Sequence, residues 1–133
     1  RRMNSLKLWL TLRIHGRLAY EEHIDRQVRL AREFARSVEA SEEFELAAPV
    51  MLTIVNFRVK GARAEEIARV HAALVEEVTR DGQRWISDTV VNGASVLRMM
   101  VISYLTEERH LEALLRALRA GARKVLAGEA KTV

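Results

Sequence analysis

The stretch from Trp85 to Tyr104, WISDTVVNGASVLRMMVISY, decides the fold. Asn92-Gly93 is a dipeptide that a two-residue hairpin turn selects, because both central residues of that turn take positive φ. β-branched residues flank it, Thr89, Val90 and Val91 before it and Val96 and Val101 after it, and these suit a pleated, half-buried surface. The pattern predicts two antiparallel strands, Trp85–Val91 and Val96–Tyr104, folded back on each other.

Working outward, Val50–Val59 is the clearest strand, carrying Ile54, Val55, Phe57 and Val59 and stopped by Gly61. A shorter strand, Phe44–Ala47, is closed by Pro49. From Ala64 to Thr79 the spacing of Ile67, Val70, His71, Leu74, Val75 and Val78 predicts a one-faced helix. Asp81-Gly82 then signals a turn. After the hairpin, Thr106 offers an N-cap, with Glu107 and Glu108 suited to the positive helix end. Leu111, Leu114, Leu115, Leu118 and Val125 give the last helix one apolar face, and the tail from Gly128 is expected to fray.

The first forty residues read as two helices. Leu6, Leu8, Trp9, Leu10, Leu12 and Ile14 are too dense for a one-faced helix, so Ser5–His15 is expected to be covered on two sides and to end at Gly16. A second helix, Arg17–Ala40, repeats through Tyr20, Ile24, Val28, Ala31, Phe34, Ala35 and Val38. Its length, about 35 Å at 1.5 Å per residue, is that of a helix joining two domains. The order α-α-β-β-α-β-β-α predicts an α/β (α+β layer) fold. Its expected core is a three- to four-stranded, mostly antiparallel sheet with helices on one face.

Composition narrows the function classes. In 133 residues, 49% hydrophobic and 30% charged, the balance is that of a folded domain. No apolar run nears the roughly 20 residues of a membrane span. The longest, Ala47–Val55 and Val96–Ile102, read as buried strands. Without cysteine there is neither a disulfide framework nor a thiolate metal site. The apolar stretch after Arg1-Arg2-Met3 is broken by Lys7 and does not read as a signal peptide. Its amphipathic pattern is already under way at Arg1, as in a piece of a longer chain.

The net charge of +4 raises the question of nucleic acid. Arg17, Arg26, Arg29, Arg32 and Arg36 follow one helix, but Glu21, Glu22, Asp25 and Glu33 interleave with them. Such mixed signs describe an ion-paired, solvated face better than a phosphate track. No nucleic-acid and no membrane partner is therefore expected. A non-enzymatic regulatory or RNA-binding α/β module stands as the second reading.

Complete catalytic constellations are missing. The six glycines never fall into a phosphate-loop spacing. His15, His23, His71 and His110 are scattered one per helix or helix end, without paired-ligand spacing, so no metal site is expected. His71, on an apolar helix face, reads as a hydrogen-bonded core histidine.

Two stretches nonetheless resemble one enzyme family. Arg1-Arg2-Met3-Asn4-Ser5-Leu6-Lys7-Leu8-Trp9, continuing to Arg13 and Gly16, and Val96-Leu97-Arg98-Met99-Met100-Val101-Ile102-Ser103 are similar to motifs of the group II pyridoxal-phosphate-dependent amino-acid decarboxylases. Phe57-Arg58-Val59 is a weaker third match. The resemblance runs in order from Arg1 to about Leu126 and implies the fold-type I architecture. Residues 1–40 would be the last large-domain helix and the long connecting helix, and residues 41–133 the C-terminal small domain.

The resemblance implies an enzyme that converts an L-amino acid to an amine and carbon dioxide with pyridoxal phosphate. Its cofactor lysine, that lysine's histidine neighbour and the acidic partner of the pyridine nitrogen would lie upstream. None of Lys7, Lys60, Lys124 and Lys131 follows a histidine. No catalytic or cofactor-binding residue is thus expected in this chain, which would be inactive alone.

Arg98 matches the arginine of the family's last strand and is the candidate for binding the substrate carboxylate, whose geometry a guanidinium fork fits. A structural arginine on a solvated face or at a domain interface is the alternative. Arg1 and Arg2 are candidates for the domain junction. Lys7 and Trp9 read as interface residues, and Trp85 as packing under the sheet. The implied partners are an upstream large domain, a second subunit in a homodimer and an amino-acid substrate, in the cytoplasm. An excised segment of this kind should self-associate through Leu8, Trp9 and Leu12.

Overall fold

The computed structural model describes residues 3–129, so the Arg1, Arg2 and Lys131 expectations lie outside the described residues. The elements are α1 (Asn4–Glu39), β1 (Phe44–Leu46), β2 (Ile54–Val59), α2 (Ile67–Thr79), β3 (Ser87–Val91), β4 (Ala94–Met100) and α3 (Glu108–Glu129). The four strands form one antiparallel sheet in the order β1-β2-β4-β3. Helix α2 packs on the sheet between β2 and β3 in sequence, and α3 packs on α2.

Asn92-Gly93 forms the expected turn, with φ of 50° and 79°. A two-residue turn fixes every pair beyond it, from Val91 opposite Ala94 to Ser87 opposite Arg98. The predicted strands are shifted in the structure. β4 begins at Ala94 and ends at Met100, and β3 begins at Ser87. β2 starts at Ile54 rather than Val50, because Leu52 takes a φ of 53° and turns the chain. Ala47–Val55 is therefore no continuous buried strand, and Met51 and Leu52 are exposed.

One face of the sheet carries the core. Phe44, Val55, Phe57, Val59, Leu97 and Met99 meet Leu30, Phe34 and Val38 of α1, Val70, Leu74 and Val78 of α2, and Leu111, Leu114, Leu115 and Leu118 of α3. Phe57 sits edge-on to both Phe34 and Phe44, with centroids 5.9 and 5.6 Å away. Such pairs contribute about 0.5–1.5 kcal/mol beyond area burial.

His71 is the buried histidine expected on α2. Its Nε2 accepts the Val59 N–H at 3.3 Å, and Nδ1 lies 3.0 Å from Ser95 Oγ. The accepting Nε2 leaves Nδ1 to carry the proton of the neutral ring. Burial pushes the pKa down to about 4, with Asp88 opposing and Arg58 adding to the shift.

Turns and caps tie the layers together. Ser41 is buried and closes the α1–β1 turn, giving its Oγ to Val38 O and accepting the Phe44 N–H. Beside it, Glu43 accepts Arg123 from α3 at 2.6 and 3.0 Å, and these bonds hold its carboxyl below the usual carboxylate range. Thr106 does not cap α3. Its carbonyl accepts Arg26 Nη2, and the Glu107 N–H is taken by His110 Nδ1.

The span α1 holds the two expected N-terminal helices, which part at a kink where Gly16 takes φ 75° and ψ 173°. No described residue of α1 before Leu30 is buried. The expected covering on two sides is thus not supplied by this chain. Leu6, Leu8, Trp9, Leu10, Leu12, Ile14 and Leu18 all face solvent, and Arg13 lies over the Trp9 ring at 5.8 Å.

Candidate functional site

Side chains alternate between the faces of a strand. Since Val55, Phe57, Leu97 and Met99 point into the core, Ile54, Asn56 and Arg58 of β2 and Val96, Arg98 and Met100 of β4 belong to the opposite face. Ser87, Thr89 and Val91 of β3 share it through their pairing with Arg98, Val96 and Ala94. The core helices leave this face without a layer, although Val96 is itself buried on it.

Arg98 stands at the centre of a polar row on this face. Ser87 is its partner on β3 and Asn56 its partner on β2. Arg98 Nε donates to Ser87 Oγ at 3.3 Å, a long bond. Among the described residues its Nη nitrogens have no hydrogen-bond partner, and the guanidinium is half-buried. The nearest other cation along β2, Arg58, is held instead by Glu45. Arg98 is thus a cation on a nearly bare sheet face with its fork unspent, which is what binding a carboxylate requires.

The end of β4 is pinned by α1. Gln27 Nε2 donates to Ile102 O at 2.6 Å, and Arg26 donates to the carbonyls of Tyr104 and Thr106. Two open grooves flank this segment. One is lined by Thr11, His15, Ala19, Tyr20, His23 and Tyr104. The other includes Trp85, Met100, Ile102 and His110. Trp85 is 63% exposed and lines this groove, contrary to the expected packing under the sheet, because β3 begins only two residues later.

Lys60 Nζ donates to Ser41 O, Lys124 pairs with Glu77, and Lys7 lies on the exposed part of α1. Among the described residues no group of three or more His, Asp or Glu could hold a metal ion. No described helix is long and apolar enough to cross a membrane. Three arginines of α1 are spent on acids and carbonyls, Arg17 on Glu21, Arg29 on Glu33 and Glu108, and Arg26 on the carbonyls of Tyr104 and Thr106.

Sequence reasoning found Arg98 and missed its neighbours. Ser87 was legible, since counting back from a two-residue turn puts it opposite Arg98. Asn56 was not, because β2 and β4 are neighbours in space but not in sequence.

Comparison with known proteins follows the same chain. Residues 1–60 match the pyridoxal-dependent decarboxylase conserved domain. Tryptophan decarboxylase 2 of Oryza sativa subsp. japonica is 34% identical over 128 residues, covering 95% of this chain and 26% of that protein. Phenylacetaldehyde synthase of Arabidopsis thaliana is 33% identical over 84% of this chain and 23% of its own length. A crystal structure of Oryza sativa TDC with PLP and tryptamine superposes with a TM-score of 0.84 at 30% identity, over 93% of this chain and 27% of that one. Mouse CSAD shares the fold, with a TM-score of 0.81 at 24% identity. The chain spans about a quarter of the length of these relatives, and it belongs to the pyridoxal-dependent decarboxylase family.

Proposed function

We propose that this chain is the C-terminal segment of an enzyme that decarboxylates an aromatic L-amino acid to its amine with pyridoxal phosphate. The observation that carries the reading is the agreement of fold and sequence over nearly the whole chain with a tryptophan decarboxylase. When bound, the cofactor supplies an electron sink for the pair left behind as carbon dioxide departs. In this reading its lysine and acidic partner belong to the remainder of the protein.

In this reading Arg98 binds the substrate carboxylate, orienting it by two parallel N–H···O bonds. Residues 1–40 serve as the join to a large domain, with Arg1 and Arg2 at the junction, and residues 41–133 as the small domain. The exposed apolar face of α1 supports that division: seven large apolar residues between Leu6 and Leu18 meet solvent here and call for a covering partner. A homodimer in the cytoplasm completes the reading.

The full-length protein, loaded with pyridoxal phosphate, should release carbon dioxide and the matching amine from tryptophan, tyrosine or phenylalanine. Failure to turn over any of these, with turnover of an acidic or basic amino acid, would replace the substrate class. Absence of any decarboxylation by the loaded enzyme would overturn the reading.

A further inference from the structure

We propose that Asn56 is a positioning residue for Arg98, the second of two strand neighbours that fix the plane of its guanidinium. The inference rests on the reading that Arg98 binds the substrate carboxylate, and adds to it a residue outside the family motifs quoted above.

The geometry comes from the register. Asn56 on β2 and Ser87 on β3 lie directly opposite Arg98 on β4, one on each side. Opposed residues of antiparallel strands have Cβ atoms about 4.5–5.5 Å apart. All three share the face turned away from the core.

The bonding is half complete. Ser87 Oγ accepts Arg98 Nε on one side. On the other, Asn56 Oδ1 is buried and has no hydrogen-bond partner among the described residues. A buried acceptor without a donor is costly, and native structures rarely leave one. Of the two arginines on the Asn56 face of β2 and β4, Arg58 is committed to Glu45, and Arg98, directly opposite, has no partner for its Nη groups among the described residues. Guanidinium has five N–H donors in a rigid fork. With Nε on Ser87 and one Nη hydrogen on Asn56, the plane is fixed at two points, and the remaining Nη hydrogens are left for a carboxylate. Without Asn56 the guanidinium would turn about its single long bond to Ser87.

The test uses the full-length, cofactor-loaded enzyme and a pair of inhibitors that cannot be decarboxylated. These are the deaminated acid of the substrate amino acid (indole-3-propionate for tryptophan) and its amide. Asn56→Leu removes the acceptor at similar volume. It should raise KM and the acid's inhibition constant about tenfold, the scale of one charge-assisted hydrogen bond, with the amide's constant and kcat little changed. A purely structural defect would shift acid and amide together.

Asn56→Asp gives a second route if Asn56→Leu fails to assemble. A carboxylate opposite Arg98 competes with the ligand, so the acid should again weaken selectively. Unchanged acid binding in these variants, where Arg98→Ala weakens it, would overturn the role of Asn56 and leave that of Arg98 standing. Unchanged acid binding in Arg98→Ala itself would remove both.

Discussion

Gly121 of α3 lies so close to Leu74 of α2 that a Cβ on the glycine would come within 2.7 Å of Leu74 Cδ1. Leu74 is fully buried, so it can yield only by shifting against its core neighbours. Gly121→Ala therefore sets a gain in helix propensity of about 1 kcal/mol against overpacking of roughly 1–3 kcal/mol. A net loss of about 1 kcal/mol is expected in urea unfolding of the chain. The cost should shrink in a Leu74→Ala background, which opens the space; equal costs in both backgrounds would contradict the contact.

His71 predicts an acid-sensitive fold. Burial takes its pKa from the ordinary 6.5 to about 4 on folding, so the unfolded chain binds the proton more readily. The histidine's contribution to stability is complete above pH 6.5 and declines as the pH drops towards 4. Its size is about 2–4 kcal/mol at 1.36 kcal/mol per pKa unit. Unfolding free energies measured from pH 7.5 to 4 should show this slope, and His71→Leu should flatten it. An unaltered slope in that variant would assign the acid sensitivity elsewhere.

The bare apolar face of α1 should drive the isolated 133-residue chain to associate. Each large apolar side chain that is covered contributes about 1.5–3 kcal/mol. In sedimentation velocity the average mass should rise with concentration. Leu8→Glu, Trp9→Glu and Leu12→Glu should each return the chain towards monomer without altering its helix content. A monomer at high concentration would refute this.

Arg98→Ala in the full-length enzyme should cost about 1.5–3 kcal/mol in kcat/KM, the worth of lost hydrogen bonds to a charge. Arg98→Lys should recover part of it, since an ammonium keeps the charge but not the planar fork. Wild-type kinetics in a folded Arg98→Ala variant would return this arginine to a structural role.

Much of this architecture was legible because local rules dominate it. Asn92-Gly93 fixed the hairpin and its register, and apolar spacing located the buried faces of α2 and α3 and the later part of α1. The misjudged places depend on tertiary context. Pairing partners of β2 could not be read locally, so Asn56 went unnoticed. Trp85 continues a strand-like pattern yet lies outside β3 in a groove. Thr106 has cap chemistry, but α3 begins at Glu108, which puts Glu107 at the N-cap, where His110 three residues on accepts its N–H. The family motifs carried the functional reading, because no local spacing in the sequence marks a complete catalytic constellation.

The break at Gly16 makes handedness, rather than size, the constraint at that site. Nothing lies within 4 Å of the place a Cβ would occupy, so an alanine would have room. What an L-residue resists there is a φ of 75° with ψ of 173°. The mirror image of that conformation is ordinary extended backbone. A D-alanine introduced by semisynthesis should therefore be accepted at residue 16 where L-alanine strains the chain.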